Sequence, residues 1–164
     1  MTAFRRQATA TLLLDGRVHI AGGGRLGSTG AVASAEVYDL TSGKFSSVGS
    51  TGNARRSFTA TRLLDGRVLM AGGSPEHGDR PVVAELYDPS TGTFSPAGSM
   101  TTPRVQHVAV LLTDGRVLLA GGFGWTFLLR RRSTILAPVH SARRFPCPPR
   151  TTIRARWCSQ MDER

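Results

Sequence analysis

Short apolar stretches alternate with glycine, proline and aspartate along most of the chain, without helical periodicity. SFTATRLL at 57–64 and RVLMA at 67–71 are strand-like and are joined by Asp65-Gly66. That pair predicts a type I′ hairpin turn, in which both positions take positive φ. Gly72-Gly73 follows directly and removes side chains where another backbone comes close or the strand bends sharply. VAELY at 83–87 and TFS at 93–95 predict a second hairpin across Asp88-Pro89-Ser90-Thr91-Gly92, where proline presets φ and the aspartate can accept a bond from the turn backbone. Four antiparallel strands per unit with no helix make one propeller blade.

The unit recurs. LLDGRVHIAGG at 13–23 returns as LLDGRVLMAGG at 63–73 and LTDGRVLLAGG at 112–122. Arg5, Arg55 and Arg104 keep this register, as do Glu36 and Glu85, Tyr38 and Tyr87, Asp39 and Asp88, and Phe45 and Phe94. A group required in every unit is expected to hold the unit together, by capping turns or by arginine–carboxylate bonds between strands. Structural roles are therefore expected for Asp15, Gly16, Gly22, Gly23, Asp65, Gly66, Gly72, Gly73, Asp114, Gly115, Gly121 and Gly122. The same is expected of Glu36, Tyr38, Asp39, Glu85, Tyr87 and Asp88.

A double glycine after an apolar strand, then Glu-x-Tyr-Asp, then Phe near the next turn, resembles the kelch motif, in particular the bacterial galactose-oxidase-type repeats. The resemblance covers about residues 1–124. It implies an all-β fold: a partial kelch β-propeller of about two and a half four-stranded antiparallel blades, with units at about 5–49, 55–98 and an incomplete 104–124. Each blade is apolar on both faces, so an open stack leaves two such faces in water. Marginal stability and self-association through open blade edges are the expected consequences.

Charge changes the picture only at the C-terminus. The chain has a net charge of +10, but residues 1–124 hold 12 basic and 9 acidic side chains while 125–164 hold 9 and 2. Residues 125–164 form an Arg/Pro-rich tail, expected to be disordered because such a composition buries no core. The genetic code permits the tail to be an out-of-frame translation of a fourth repeat. Gln160 to Glu163 reads as Asn/Asp-Gly followed by Arg or a stop in the neighbouring frame, and Arg130 to Ala142 permits Ala-Glu-Ile-Tyr-Asp-Pro-Arg-Thr-Gly-Thr-Phe-Ser. The shift is expected between about Gly124 and Arg130. The competing reading is a basic arm that neutralises phosphates and stacks Trp157 on a base. Cys147 and Cys158 both lie in the tail without a metal-ligand pattern and decide neither a disulfide nor a compartment. There is no signal-peptide pattern, and no apolar run approaches the roughly 20 residues of a membrane helix, so no membrane partner is expected.

Candidate chemistry is sparse. Gly22 to Gly27 formally fits GxGxxG, but no helix follows to receive a phosphate. His19 aligns with Leu69 and Leu118, and His107 with Phe58 and Ala8, which favours packing over ligation for both. His77, beside Glu76 and Asp79, could approach a cation, although such loop residues are ordinarily solvated. Where the units differ, in loops 24–33 and 74–82, binding residues are expected: Arg25, Glu76, His77, Asp79 and Arg80. Galactose oxidase holds copper with tyrosine, histidine and a cysteine-linked tyrosine. Here Tyr38 and Tyr87 are repeat residues and the cysteines are in the tail, so none of those ligands is carried over. No catalytic, cofactor or metal residue is assigned, and the expected function is that of a non-enzymatic fragment of a binding or scaffold propeller, whose partner is protein or carbohydrate. The alternatives are nucleic-acid binding through the tail and a piece of a galactose-oxidase-like copper enzyme.

Overall fold

A computed structural model describes residues 4–25, 27, 30–75, 83–123 and 134–136. They form three antiparallel sheets, and there is no helix among the described residues. Blade 1 contains β1 (Thr9–Leu12), β2 (Val18–Ala21), β3 (Ser34–Asp39) and β4 (Lys44–Ser50), in that spatial order. Blade 2 repeats the order with β5 (Thr59–Arg62), β6 (Val68–Ala71), β7 (Val83–Asp88) and β8 (Thr93–Ser99). Blade 3 has β9 (Val108–Leu111), β10 (Val117–Ala120) and β11 (Thr134–Leu136). The first strands β1, β5 and β9 stand side by side, so the sheets stack as neighbouring blades of an open, partial propeller.

Two local expectations change. The β5–β6 turn is not the tight two-residue type, because only Gly66 is left-handed, at φ +90°. Leu63 N–H donates to the Arg67 carbonyl at 2.8 Å and Gly66 N–H to the Leu63 carbonyl at 3.1 Å. Asp65 keeps a negative φ and accepts the Arg67 N–H on Oδ1 at 3.1 Å, giving a longer loop closed by a left-handed glycine. The second change lies in the tail, where Thr134–Leu136 is not free of structure but pairs with β10. Leu136 opposes Val117 and Thr134 opposes Leu119, the register positions that Tyr38 and Glu36 take against Val18 and Ile20. Backbone pairing to β10 needs no particular side chain, which is why a segment without the repeat's residues can fill the place.

The core lies between the sheets. Blade 1 turns Leu13, His19, Ala21, Ala35 and Val37 toward blade 2, which answers with Phe58, Ala60, Val68, Met70, Tyr87 and Phe94. Blade 2 turns Leu63, Leu69, Ala71, Ala84 and Leu86 toward Ala109, Leu111, Val117 and Leu119 of blade 3. Side chains of period two supply both faces, so blade 2 is buried on two sides and, among the described residues, blades 1 and 3 on one each.

The glycine pair explains the spacing of the blades. A Cβ on Gly22 would lie 2.5 Å from the Arg55 carbonyl oxygen, and one on Gly72 would lie 2.4 Å from that of Arg104. The second glycine donates to the same carbonyl, Gly23 to Arg55 at 2.9 Å and Gly73 to Arg104 at 2.8 Å. Only a residue without a side chain lets the next blade approach that closely.

Candidate functional site

The recurring arginines cross-link each blade from within. Arg5 donates to the Gly22 and Ser34 carbonyls at 3.0 and 2.8 Å and lies 3.8 Å from Glu36. Arg55, fully buried, donates to the Gly72 carbonyl at 3.3 Å and forms a short ion pair with Glu85. Burial pulls its guanidinium below the ordinary arginine value, and the Glu85 carboxylate opposes that. Glu85 also accepts from Gly52 N–H at 2.7 Å, which fastens the linker between blades 1 and 2. Arg104 donates to the Gly121 carbonyl at 2.6 Å, while the register position of the glutamate is Thr134.

The turn aspartates work locally. Asp39 Oδ1 accepts Thr41 N–H at 2.8 Å and Asp88 Oδ1 accepts Ser90 N–H at 2.9 Å. The Ser90 hydroxyl, which also donates to Asp88 Oδ1 at 2.6 Å, and the Ser90 backbone bond hold the Asp88 carboxyl below its ordinary value, and the Thr41 bond does the same for Asp39. Asp15, Asp65 and Asp114 each accept from the arginine two residues on, with Nε–Oδ2 distances of 2.8, 2.8 and 2.7 Å. Tyr38 packs on Phe45, with ring centroids 4.6 Å apart, and Tyr87 on Phe94 at 5.0 Å. These groups are distributed through the sheets and converge on no common point.

Three residues the sequence did not reveal do converge. Gln7, Ser57 and Gln106 are the non-glycine residues with positive φ among those described, at 58°, 55° and 53°, and they occupy equivalent places before β1, β5 and β9. Left-handed backbone costs such residues roughly 1–3 kcal/mol each. At the later two it turns the amide toward the preceding blade: Ser57 N–H donates to the Gln7 carbonyl at 3.2 Å and Gln106 N–H to the Ser57 carbonyl at 3.1 Å. Their steps of 50 and 49 were legible, but polarity carries no sign of φ.

Beside this ladder lies a cavity of about 450 Å³, lined by Arg6, Gln7, Arg56, Ser57, Gln106 and Phe123. Ser74 and Val105 complete the wall. Bridges between Arg6 and Gly24, Arg56 and Ser74, and Val105 and Phe123 fix the three blades' contributions. Among the described residues the lining is two arginines, two glutamines, two serines, a valine and a phenylalanine, with no carboxylate. It lies at the end of the sheets where the β2–β3 and β6–β7 loops emerge.

Of the expected binding residues, Arg25 is exposed in the loop after Gly24, with its N–H donating to the Gly30 carbonyl at 3.2 Å. Glu76, His77, Asp79 and Arg80 lie outside the described residues, as does the tail apart from 134–136. Both described histidines are buried. His19 stacks on Tyr87 at 4.0 Å, neither ring nitrogen has a hydrogen-bond partner, and burial pushes its pKa down to about 4. His107 Nε2 contacts Thr59 Oγ1 at 2.9 Å, and burial, with Arg104 nearby, pushes it to about 4 as well.

No family model matches the chain, and no curated protein matches it either. Among solved structures the chain is similar to a fungal alcohol oxidase of the AA5 family determined with copper, with a TM-score of 0.70 and 19% identity. The match covers 82% of this chain and 31% of that enzyme, so the chain spans about a third of the protein it resembles. At this identity the likeness establishes the fold. It corrects the expectation of a chain without enzymatic activity: the architecture is shared with an oxidase, so the fold gives no ground for denying one. The described residues do not fit copper, however. No three His, Cys, Asp or Glu side chains cluster among them, and the described histidines are enclosed between blades. What the comparisons establish is an all-β partial propeller with the galactose-oxidase-like fold.

Proposed function

We propose that the chain is the ligand-binding sector of a kelch-type β-propeller, and that the cavity at the start of the first strands takes a carboxylate-bearing, polyhydroxylated ligand such as an acidic sugar. The lining of that cavity carries the reading: Arg6 and Arg56 supply charge, Gln7, Gln106, Ser57 and Ser74 supply amides and hydroxyls, and Phe123 supplies an apolar surface. Pocket residues held by a strained, bonded backbone are pre-organised, which lowers the entropic cost of binding. The repeat supports the kelch assignment and the loop-end location supports binding.

Calorimetric titration of the chain with oligogalacturonate and with neutral oligogalactose tests this. A guanidinium–carboxylate bond contributes about 1.5–3 kcal/mol, so the acidic probe should bind at least about tenfold more tightly. Arg56→Gln should remove most of that preference while leaving the far-ultraviolet circular dichroism unchanged. Equal affinity for the two probes, or an acidic preference that survives Arg56→Gln, refutes the assignment.

A further inference from the structure

We propose that copies of this chain assemble head to tail, the Gly121-Gly122 face of one copy seating on the Arg5–Gln7 face of the next through the contacts that join its own blades. Two backbone bonds define each internal junction. The second glycine of one blade donates to the arginine carbonyl of the next, as Gly23 does to Arg55 and Gly73 to Arg104. The left-handed residue of the later blade donates to its counterpart in the earlier one, as Ser57 does to Gln7 and Gln106 to Ser57. One further step pairs Gly122 N–H with an Arg5 carbonyl and Gln7 N–H with a Gln106 carbonyl. None of these four groups makes that bond among the described residues.

The glycines tell the same story. Gly22 and Gly72 lie against the next blade's arginine carbonyl, whereas Gly121, at φ +71°, has nothing within 4 Å of an added Cβ. It keeps the conformation of its equivalents without the neighbour that crowds them.

Side chains on the two end faces are halves of one interface. The outward face of blade 3 presents Val108 and Val110, 61% and 53% exposed, where blades 1 and 2 have Thr9 and Thr59, and Thr11 and Thr61. Leu118 and Ala120 are half-buried there, at the positions of Leu69 and Ala71, which are 2% and 1% exposed. The outward face of blade 1 presents Val18, Ile20, Tyr38 and Phe45, each half-buried, at the positions of Val68, Met70, Tyr87 and Phe94. Val68, Met70 and Tyr87 are at most 1% exposed where blade 1 covers them. Blade 3 is thus more apolar outward than the blades it copies, and its complement stands at the other end of the same chain. Such a contact is heterologous, so it extends past a dimer into a ring or an open stack.

Sedimentation velocity of the full chain over a concentration series tests the proposal. The wild type should grow past the dimer with concentration. Ala10→Arg blocks the blade 1 face and Val110→Arg the blade 3 face, at positions exposed in the single chain. Each variant alone should remain monomeric with unchanged far-ultraviolet circular dichroism. An equimolar mixture should form a dimer that grows no further, because each retains the face the other lacks. A wild type that stays monomeric, as it would if residues 137–164 or nothing covered the blade 3 face, overturns the proposal. So does association that survives both substitutions, which would place contact on strand edges, and so does a mixture that stays monomeric while the wild type associates.

Discussion

Gly72→Ala and Gly121→Ala form a matched pair that isolates the contact between blades. Both glycines are left-handed, at φ +69° and +71°, so both variants carry the cost of a left-handed alanine, about 1–2 kcal/mol. At Gly121 nothing lies within 4 Å, and that strain is the whole expected effect. At Gly72 the new methyl would stand 2.4 Å from the Arg104 carbonyl oxygen and 2.6 Å from His107 Cε1. The carbonyl belongs to backbone and the imidazole is held by Thr59, so neither yields easily. Relieving the clash by moving blade 3 costs a further 1–3 kcal/mol or so in packing and about 1 kcal/mol for the stretched Gly73–Arg104 bond. Gly72→Ala should therefore lose about 2–4 kcal/mol more than Gly121→Ala. Urea unfolding followed by far-ultraviolet circular dichroism measures the difference, with the protein dilute enough that copies do not associate. Equal losses in the two variants would mean that φ alone selects the glycines and that the close approach of the next blade contributes nothing.

Other outcomes follow from the buried groups. His19 and His107 are neutral in the folded chain, with pKa values of about 4 against an ordinary 6.5, so the unfolded chain binds more protons between those values. Stability should be full above pH 6.5 and fall as the pH drops toward 4, by about 3 kcal/mol per histidine. His19→Leu, which copies Leu69, should remove about half of that slope and raise stability at pH 7 by about 1–2 kcal/mol, because two unbonded ring nitrogens leave the interior; a slope unchanged by the substitution refutes the assignment. Glu85→Ala strands the buried Arg55 and should cost about 3–5 kcal/mol, whereas Asp65→Ala, which breaks a partly exposed turn pair, should cost less than about 1 kcal/mol. Comparable losses in the two, measured by urea unfolding, would show that the buried pair is no more than a local brace. Thermal unfolding of the dilute chain should be broad and weakly cooperative, since among the described residues each end blade is covered on one side only, and a sharp monomeric transition contradicts that account.

The sequence alone determined the elements and their order. Apolar segments broken by Asp-Gly, Gly-Gly and Asp-x-x-x-Gly mark strands and turns through local chemistry. Recurrence at 50 and 49 residues fixes the blade as the unit. Local chemistry stops short where a backbone angle or a contact depends on the neighbouring blade. The left-handed Gln7, Ser57 and Gln106 have no side-chain reason to adopt that conformation, and what it achieves, a bond from the Ser57 and Gln106 amides to the preceding blade's carbonyl, depends on where that blade stands. The cavity between Arg6, Arg56 and Gln106 exists only because three loops 50 residues apart meet at one end of the sheets. The pairing of Thr134–Leu136 to β10 likewise follows from an available strand edge and not from the segment's own residues. Residue types set what each blade is, and the rotation from one blade to the next, which no local pattern encodes, decided which groups meet.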